Sequence, residues 1–541
     1  MSQIRSLFST RRAIDRRIEK VIDYSATAED RLLAEIDEYE ATENVESCFR
    51  KLLENYSAGV EGAQVSEIGV WVSGFYGSGK SSFTKYFGLA LKGKSKVGGR
   101  DFVDLLTDRL QATDVQAALR TVAKRQPTAV VFLDLGAEQL AENAASPVSD
   151  VLYWKVLHQA GYSKDKKLAQ LELTLDRQNK MEAFTQKFQE RWKQDWLEIH
   201  NDPLIGIARA AQVVPAVLPR EFPTPESFSR LRFEMGENLR DRAQEMIDLI
   251  RNQTGMQNIL FMIDEAGQYV APRTELMLNL DGLVRNLKEL GKGKVWMICT
   301  GQQTLTEISQ KAQYNSAELI RLQARFPITI ELDARDIKEI TYRRLLTKTP
   351  EAMNQLRSMF RVSGQALIAH TRLTGTTLYR TDPDADTFAQ FYPFLPQHFE
   401  LLIELIRQLA RGSLGLRSAI KVIQDVLVDV NRLLPAGATK LADREVGTLA
   451  CADDFYNTLR ADILKVLLHV VAAVDRTEKI FGAQSPEVRI AKTVAALQNV
   501  ENLPCSAENI AALLYPRLDS PGLLGDVQDA INICWRRKKS A

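Results

Sequence analysis

From Glu67 to Leu91 the chain reads EIGVWVSGFYGSGKSSFTKYFGLAL. An apolar run leads into Gly74, four further residues and then Gly-Lys-Ser, after which an amphipathic run begins. This order predicts a strand, a glycine-rich loop and a helix, with backbone N–H groups and the positive helix start facing phosphate oxygens. Lys80 is predicted to reach the β and γ phosphates of a triphosphate, and the Ser81 hydroxyl to take one place on Mg²⁺.

The residues expected to bind the nucleotide belong to this loop and to the first turn of the helix. They are Gly74, Tyr76, Gly77, Ser78, Gly79, Lys80, Ser81 and Ser82. A chance glycine loop is the alternative, but the fixed positions in a strand-to-helix context favour phosphate binding. The sequence therefore predicts ATP and Mg²⁺ as bound groups.

Length and composition limit the class of protein. The 541 residues suffice for roughly three or four domains. A net charge of +1 gives no overall field for nucleic acid or an anionic membrane, so any nucleic-acid contact must be local. The five cysteines are scattered without CxxC spacing, which indicates neither a disulfide framework nor a zinc site. Without an apolar run of spanning length or a signal sequence, we expect a cytoplasmic protein that does not contact membranes.

Two more apolar runs predict buried strands of a parallel sheet, one from Ala129 to Ala137 and one within Asn258 to Val270. The second ends in Asp264 and Glu265. Asp264 is predicted to hold Mg²⁺ and its waters, and Glu265 to position and deprotonate the attacking water. Asp134 is the rival because it also ends an apolar run, but no acidic residue follows it directly.

A third buried strand is predicted for KVWMICTGQQTL, from Lys294 to Leu305, and it ends in polar residues. In ATPases with a strand between the phosphate-loop strand and the acidic strand, such a polar end contacts the γ phosphate or the attacking water. Gln302 is the predicted contact, and Thr300 is the alternative.

Three arginines are candidates for contacts to the triphosphate. Arg321 and Arg325 lie four residues apart near the end of a predicted helix, so both project from one side of it. One of the pair is expected to act as a finger that stabilises charge on the γ phosphate of a neighbouring subunit. Arg417, in the first turn of a later amphipathic helix, is expected to reach the triphosphate from a lid. A surface salt bridge is the alternative for Arg321 and Arg325, and a surface arginine in the capping region of its helix is the alternative for Arg417.

The order of these segments predicts an α/β fold with a parallel sheet. The expected divisions are an N-terminal helical flank at 1–66, a nucleotide-binding core at 67–345 with a helical insertion at about 138–250, a helical lid domain at 346–440, and a C-terminal helical module at 441–541. Short helices in the last module suggest a winged-helix-like unit. No hairpin strands follow before RRKKSA, so we expect either a truncated chain or a missing wing.

The order of motifs describes an AAA+ ATPase, and it resembles most the BrxC/PglY family, the P-loop AAA+ ATPases of BREX bacteriophage-resistance systems. The resemblance rests on GVWVSGFYGSGKSSFTKYFGLAL, the insertion before FMIDEAGQYV, CTGQQTL, RLQARFPITIEL and YPFLPQHFELL, and covers most of residues 1–435. Lys80, Ser81, Asp264 and Glu265 match position by position. Gln302, Arg321, Arg325 and Arg417 match only by their place in the order.

This resemblance implies an ATP-binding and ATP-hydrolysing component of a phage-defence complex. Its nucleotide state would control assembly into a homo-oligomer and the engagement of DNA, of the BREX methyltransferase and of other BREX proteins. Two alternatives remain open. One is a non-hydrolysing, nucleotide-gated scaffold that binds DNA, and the other is an initiator-like AAA+ loader.

Overall fold

The computed structural model describes residues 2–10, 12–16, 18, 24, 28–62, 67–74, 77–93, 95–137, 146–230, 238–307, 316–333, 335–376, 382–410, 419–428, 440–498 and 500–539. Two large hydrophobic cores organise these residues, one around a β-sheet and one among helices. A third, smaller core lies in the segment between two strands of the sheet.

The described strands are β1 Gly69–Gly74, β2 Lys96–Val97, β3 Arg100–Asp101, β4 Thr128–Asp134, β5 Asn258–Asp264, β6 Val295–Gly301 and β7 Ile328–Leu332. Five of them form a parallel central sheet in the spatial order β4-β5-β6-β1-β7. Strands β2 and β3 pair separately as a short antiparallel ribbon. Strands β1, β5 and β6 are buried along their whole length, which their continuous apolar sequences require. The α/β class and the parallel sheet are as predicted, and the arrangement is compatible with a P-loop NTPase-like fold.

Helices cover both faces of the sheet. One set contains α1 Glu29–Asp37, α2 Glu43–Val60, α3 Lys80–Leu91, α4 Phe102–Thr107 and α5 Thr113–Arg125. The other set contains α6 Val148–Gln159, α12 Leu239–Thr254, α13 Ala266–Val270, α14 Thr274–Gly291 and α15 Ser316–Arg325. Because α3 begins where β1 ends and packs across the sheet strands, its first turn lies at the edge formed by the strands' carboxyl ends.

The segment between β4 and β5 is helical, and only its middle forms a separate body. Helices α7 Lys166–Arg177, α8 Met181–Trp192, α9 Trp196–Ile199, α10 Pro203–Ala211 and α11 Pro225–Ser229, with a 3-10 turn at Val214–Ala216, surround the core of Trp196. Helices α6 and α12 bury their apolar residues with the sheet instead. The separate body therefore contains fewer residues than the insertion of about 138–250 that the sequence suggested.

A helical body follows the sheet. It contains α16 Arg335–Thr341, a π-helix at Tyr342–Leu346, α17 Pro350–Thr371, α18 Ala385–Phe391, α19 Pro396–Ala410, α20 Ala419–Leu427, a 3-10 turn at Leu441–Asp443, α21 Ala452–Val466, α22 Leu468–Phe481, α23 Pro486–Leu497, α24 Ala507–Leu513 and α25 Leu524–Lys539. In the described part of 440–539, the β-pairings are isolated bridges, such as that of Thr448 with Arg517, so no wing is seen there. No helix among the described residues has the length and apolar character needed to cross a membrane.

The N-terminal segment joins the helical body rather than the sheet. It begins with a 3-10 turn at Ile4–Leu7. The backbone N–H of Ile4 donates to the Arg444 carbonyl at 2.9 Å, and that of Ser9 donates to the Thr347 carbonyl at 2.9 Å. The predicted flank at 1–66 thus belongs to two hydrophobic cores. Its first residues pack with the later helices, whereas α1 and α2 pack on the sheet.

Candidate nucleotide site

The glycine-rich loop joins β1 to α3 at the carboxyl edge of the sheet. Gly79 has φ +89°, and a Cβ there would meet only open space. A Cβ at Gly74 would come within 2.5 Å of Ser78 Oγ and 2.9 Å of the Leu332 carbonyl, so glycine is required at that position. The loop thereby leaves room beside the N–H groups that open α3, as an anion site requires.

The loop carries a buried cation, Lys80, and a buried hydroxyl, Ser78. Lys80 Nζ donates to the Gly74 carbonyl at 2.7 Å. Burial lowers the pKa of Lys80 to about 8, against the opposing effect of Asp264 and Glu265. The buried Ser78 hydroxyl has no hydrogen-bond partner among the described residues. A desolvated cation and an orphaned hydroxyl fit a bound phosphate.

The two acidic residues after β5 are held by Thr300 at the end of β6. The Thr300 hydroxyl donates to Asp264 Oδ1, and it accepts the Glu265 backbone N–H at 3.0 Å. Glu265 lies in the left-handed region with φ +57°, a conformation that is costly for a residue with a side chain. Thr300, which the sequence analysis kept as the alternative to Gln302, is thus the residue in contact with both acids.

The Glu265 carboxylate lies in an acidic, partly desolvated environment. Burial raises its pKa most, followed by the negative charges of Asp134 and Asp264, while Lys80 acts in the opposite direction. A group with such a pKa is a better proton acceptor than an ordinary glutamate. The position suits a general base.

Asp134, the rival acid, belongs to the same edge of the sheet. It lies in register with Asp264 on the neighbouring strand. Its Oδ1 accepts the backbone N–H groups of Gly136 at 2.9 Å and Ala137 at 3.2 Å, which shapes the turn after β4. A Cβ at Gly136 would overlap the Glu265 carboxylate. The sequence analysis did not single out Gly136 as a site residue. Its place just after a parallel strand was a signal, because such residues lie at the carboxyl edge of the sheet.

Ser81 and Asp264 offer a hydroxyl and a carboxylate, the oxygen donors that Mg²⁺ prefers. They fit the predicted metal ligands in chemistry and in their place on the sheet edge. A second acidic group, Cys451 with Asp453 and Asp454, has other partners. Asp453 pairs with Arg489 at 2.7 Å, and Asp454 pairs with Arg444 at 3.0 Å.

Of the remaining predicted residues, Gln302 makes no hydrogen bond to the loop or to the acidic pair among the described residues. Gln302 follows β6 and is half-exposed, in a bend of the chain. Tyr76 and Arg417 lie outside the described residues. The neighbours of the loop that are described are Ser81 and Ser82, both half-buried in the first turn of α3.

Arg325, one of the two candidate finger arginines, lies far from the glycine loop. Arg325 pairs with Asp281 at 2.9 Å and with Glu67 at 3.2 Å. Glu67 precedes β1, so Arg325 lies at the amino edge of the sheet, about 20 Å from the loop by the rise of the six-residue strand. Arg321 is exposed and has no ion pair among the described residues.

Residues before the loop brace α3 from behind. The Tyr24 hydroxyl donates to Thr84 Oγ1 at 2.9 Å, and Thr84 Oγ1 donates to the Lys80 carbonyl at 2.9 Å. Glu35 on α1 pairs with Lys85 on α3 at 2.7 Å, and both side chains are buried. Nothing in the sequence pattern indicated these contacts.

The site as a whole places a buried cation, a helix start and two carboxylates at one edge of a parallel sheet. Such an arrangement can hold a polyphosphate with its counter-ion and set a base beside it. No protein-family model matches the sequence.

Proposed function

We propose that the chain is an AAA+ ATPase of the BrxC/PglY type, which binds ATP with Mg²⁺ and hydrolyses it within a BREX phage-defence complex. The observation that carries the ATPase proposal is the meeting of Lys80, Asp264, Glu265 and Thr300 at the ends of β1, β5 and β6. Strand β6 lies between the phosphate-loop strand and the acidic strand, so Thr300 reaches both acids. The family assignment rests on the sequence resemblance alone.

Each residue has a separate role in the proposed reaction. The loop N–H groups and Lys80 bind the β and γ phosphates. Ser81 and Asp264 would hold Mg²⁺, which neutralises charge on the phosphates. Glu265 accepts a proton from the attacking water, for which its raised pKa suits it. Thr300 holds the Asp264 carboxylate and the Glu265 backbone N–H.

We further propose that a neighbouring copy completes the site. Hydrolysis is accelerated when an arginine stabilises charge on the transferred phosphoryl group. The distance of Arg325 from its own loop supports a role in another subunit's site, and Arg321 lies one turn away on the same helix. Arg321 is the better candidate, because Arg325 already pairs with two carboxylates. Gln302 and Arg417 remain proposed contacts for the γ phosphate.

DNA and the BREX methyltransferase are the proposed partners, and the cytoplasm is the proposed location. The exposed face of α25 carries Asp526 and Asp529 in its first half and Trp535 and Arg536 near its end. Carboxylates at the start of the helix oppose insertion into a DNA groove. A phosphate contact is therefore proposed for the basic end of the helix and not for its beginning.

Phosphate release by the full chain, measured with and without DNA, tests the ATPase proposal. We expect turnover in the unaltered protein, none in Lys80→Ala because the phosphates lose their cation, and none in Glu265→Gln although ATP still binds. A scaffold that only gates on nucleotide predicts saturable ATP binding with negligible turnover in every variant. That result would replace the ATPase proposal by the scaffold.

A mixing experiment tests the shared site. Glu265→Gln lacks the base but keeps its finger, and Arg321→Ala lacks the finger but keeps its base. In an equal mixture, about a quarter of the sites combine an intact base with an intact neighbour's arginine, so about a quarter of the activity should return. Arg325→Ala in place of Arg321→Ala is the matched control, and restoration only with Arg325→Ala would exchange their roles.

A further inference from the structure

A cavity of about 420 Å³ lies between the N-terminal segment, the turn after α4 and the π-helix. Four arginines line it: Arg12, Arg109, Arg343 and Arg344. Ser9, Gln111, Tyr342 and Thr347 add further polar groups, and Glu40 and Asp108 are the acids in its wall. None of these residues belongs to the glycine loop or to the acidic pair described above.

Each of the four wall arginines has a carboxylate partner, but one of these carboxylates is shared with a further arginine outside the wall. Arg12 pairs with Glu40, Arg109 with Asp37, and Arg343 with Glu339. Asp108 pairs with Arg100, which lies outside the wall.

The exception is Glu38, which two guanidinium groups share. Arg16 pairs with it at 2.5 Å and Arg344 at 3.2 Å. Arg16 and Arg344 therefore have one carboxylate between them. Because both side chains are largely buried, water compensates the remaining positive charge poorly.

Arg344 also has unused donors. It donates through Nε to Glu38, while its two η nitrogens make no hydrogen bond to the described residues. The side chain is only 19% exposed. Burial is also the main cause that lowers the pKa of Arg344, against the opposing charge of Glu38. A guanidinium fork with free N–H groups is the usual partner of a planar or tetrahedral oxyanion.

The local backbone is unusual as well. Residues Tyr342–Leu346 form a π-helix, an element that is rare and occurs often at functional sites. The same turn carries Arg343 and Arg344 into the wall, and it begins directly after α16, where the helical body starts.

We propose that this cavity binds a small phosphate-bearing molecule, whose phosphate lies on the fork of Arg344. The volume is in the range of pockets for small molecules and is too small for a nucleic-acid duplex. Because the wall contains residues of the N-terminal segment, of the turn after α4 and of the π-helix, the ligand holds these three parts together. The site is separate from the proposed ATP site.

Binding of inorganic phosphate and of AMP to the full-length Lys80→Ala protein, measured by calorimetry and by the shift of the melting temperature, tests this proposal. The substitution removes the cation of the glycine loop and so weakens phosphate binding there. We expect saturable one-to-one binding and a melting temperature that rises with ligand concentration. No binding of either probe, or tighter binding of malonate than of phosphate, would overturn the proposal.

Second substitutions in the same background locate the ligand. Arg344→Gln, and Arg344→Lys with its charge but no fork, should each weaken binding by about tenfold or more. Arg100→Gln, a charge loss at an exposed arginine outside the cavity, is the matched control and should bind as before. Should the Arg344 variants not fold, Arg109→Gln replaces them, since Arg109 lines the cavity and is partly exposed. Equal binding by the cavity variant and the Arg100 control would also refute the site. Neither result depends on whether the protein hydrolyses ATP.

Discussion

Glu265 combines a proposed catalytic role with an unfavourable backbone conformation, and the two can be separated by substitution. Its φ of +57° places Cβ against the following carbonyl. Glu265→Ala removes the carboxylate and keeps the strain, whereas Glu265→Gly removes both. The difference between these two variants therefore contains the strain and the different backbone freedom of alanine and glycine, but no effect of the carboxylate.

The expected size follows from two opposing terms. A left-handed residue with a side chain costs roughly 1–2 kcal/mol relative to glycine. The greater freedom of glycine in the unfolded chain costs roughly 0.5–1 kcal/mol in return. These ranges leave a difference of roughly 0–1.5 kcal/mol. At their midpoints, the free energy of unfolding of Glu265→Gly should be about 0.75 kcal/mol higher than that of Glu265→Ala, a reversal of the usual order of alanine and glycine.

Urea unfolding followed by far-UV circular dichroism measures the difference. Ala117→Gly at an exposed position inside α5 is the control, because glycine should destabilise that helix by about 1 kcal/mol. Both Glu265 variants should lack ATP turnover. If Glu265→Gly is no more stable than Glu265→Ala, the backbone at this position is not strained and the reasoning is wrong.

Three further predictions concern the same edge of the sheet. Thr300→Val removes the hydroxyl that donates to Asp264 and accepts the Glu265 N–H, which then keeps only Asp264 Oδ1 at 3.2 Å as acceptor. Stability should therefore fall by about 1–3 kcal/mol and turnover should need more Mg²⁺. Thr300→Ser should restore both, and a valine variant with unchanged stability would contradict the bridge. Because Lys80 has a pKa of about 8, its ammonium group loses its proton above that pH. The affinity for ATP should then fall by up to about tenfold per pH unit. Calorimetry in two buffers should show that the protein takes up a proton when ATP binds. An ATP affinity that is constant up to pH 10 would count against a buried Lys80. Turnover should decline at low pH as Glu265 is protonated, at a higher pH than for an ordinary glutamate, and Asp134→Asn should move this decline to lower pH by removing a negative neighbour. An unmoved acid limb would show that Asp134 does not act on the base.

The strands and the loop could be predicted from the sequence because each has a local cause. Continuous apolar runs mark strands that helices cover on both faces, and the sheet contains each run that the sequence analysis assigned to a strand. Gly74 and Gly79 have the contacts and the conformation that their spacing indicated. Asp264 and Glu265 follow β5 as expected, since residues after a parallel strand lie at its carboxyl edge.

The contacts between distant segments could not be predicted in this way. The hydrogen bonds of Thr300 depend on β6 lying beside β5. The order of strands in a sheet cannot be predicted from the sequence of any one strand. The packing of Ile4 with the helical body and of Tyr24 behind α3 depends on where the chain folds back. The ion pairs of Arg325 likewise join three separate segments of the chain. Helical spacing alone therefore does not distinguish a paired arginine from an unpaired one.

The nucleotide that stays bound to Glu265→Gln tests the central claim most directly. The variant protein is incubated with ATP and Mg²⁺, freed of unbound nucleotide and analysed for ATP and ADP beside the unaltered protein. We expect ATP on the variant and ADP on the unaltered protein, because Lys80 and the loop still bind but no base activates water. ADP on both proteins would contradict the role of Glu265, and no nucleotide on either would contradict the site itself.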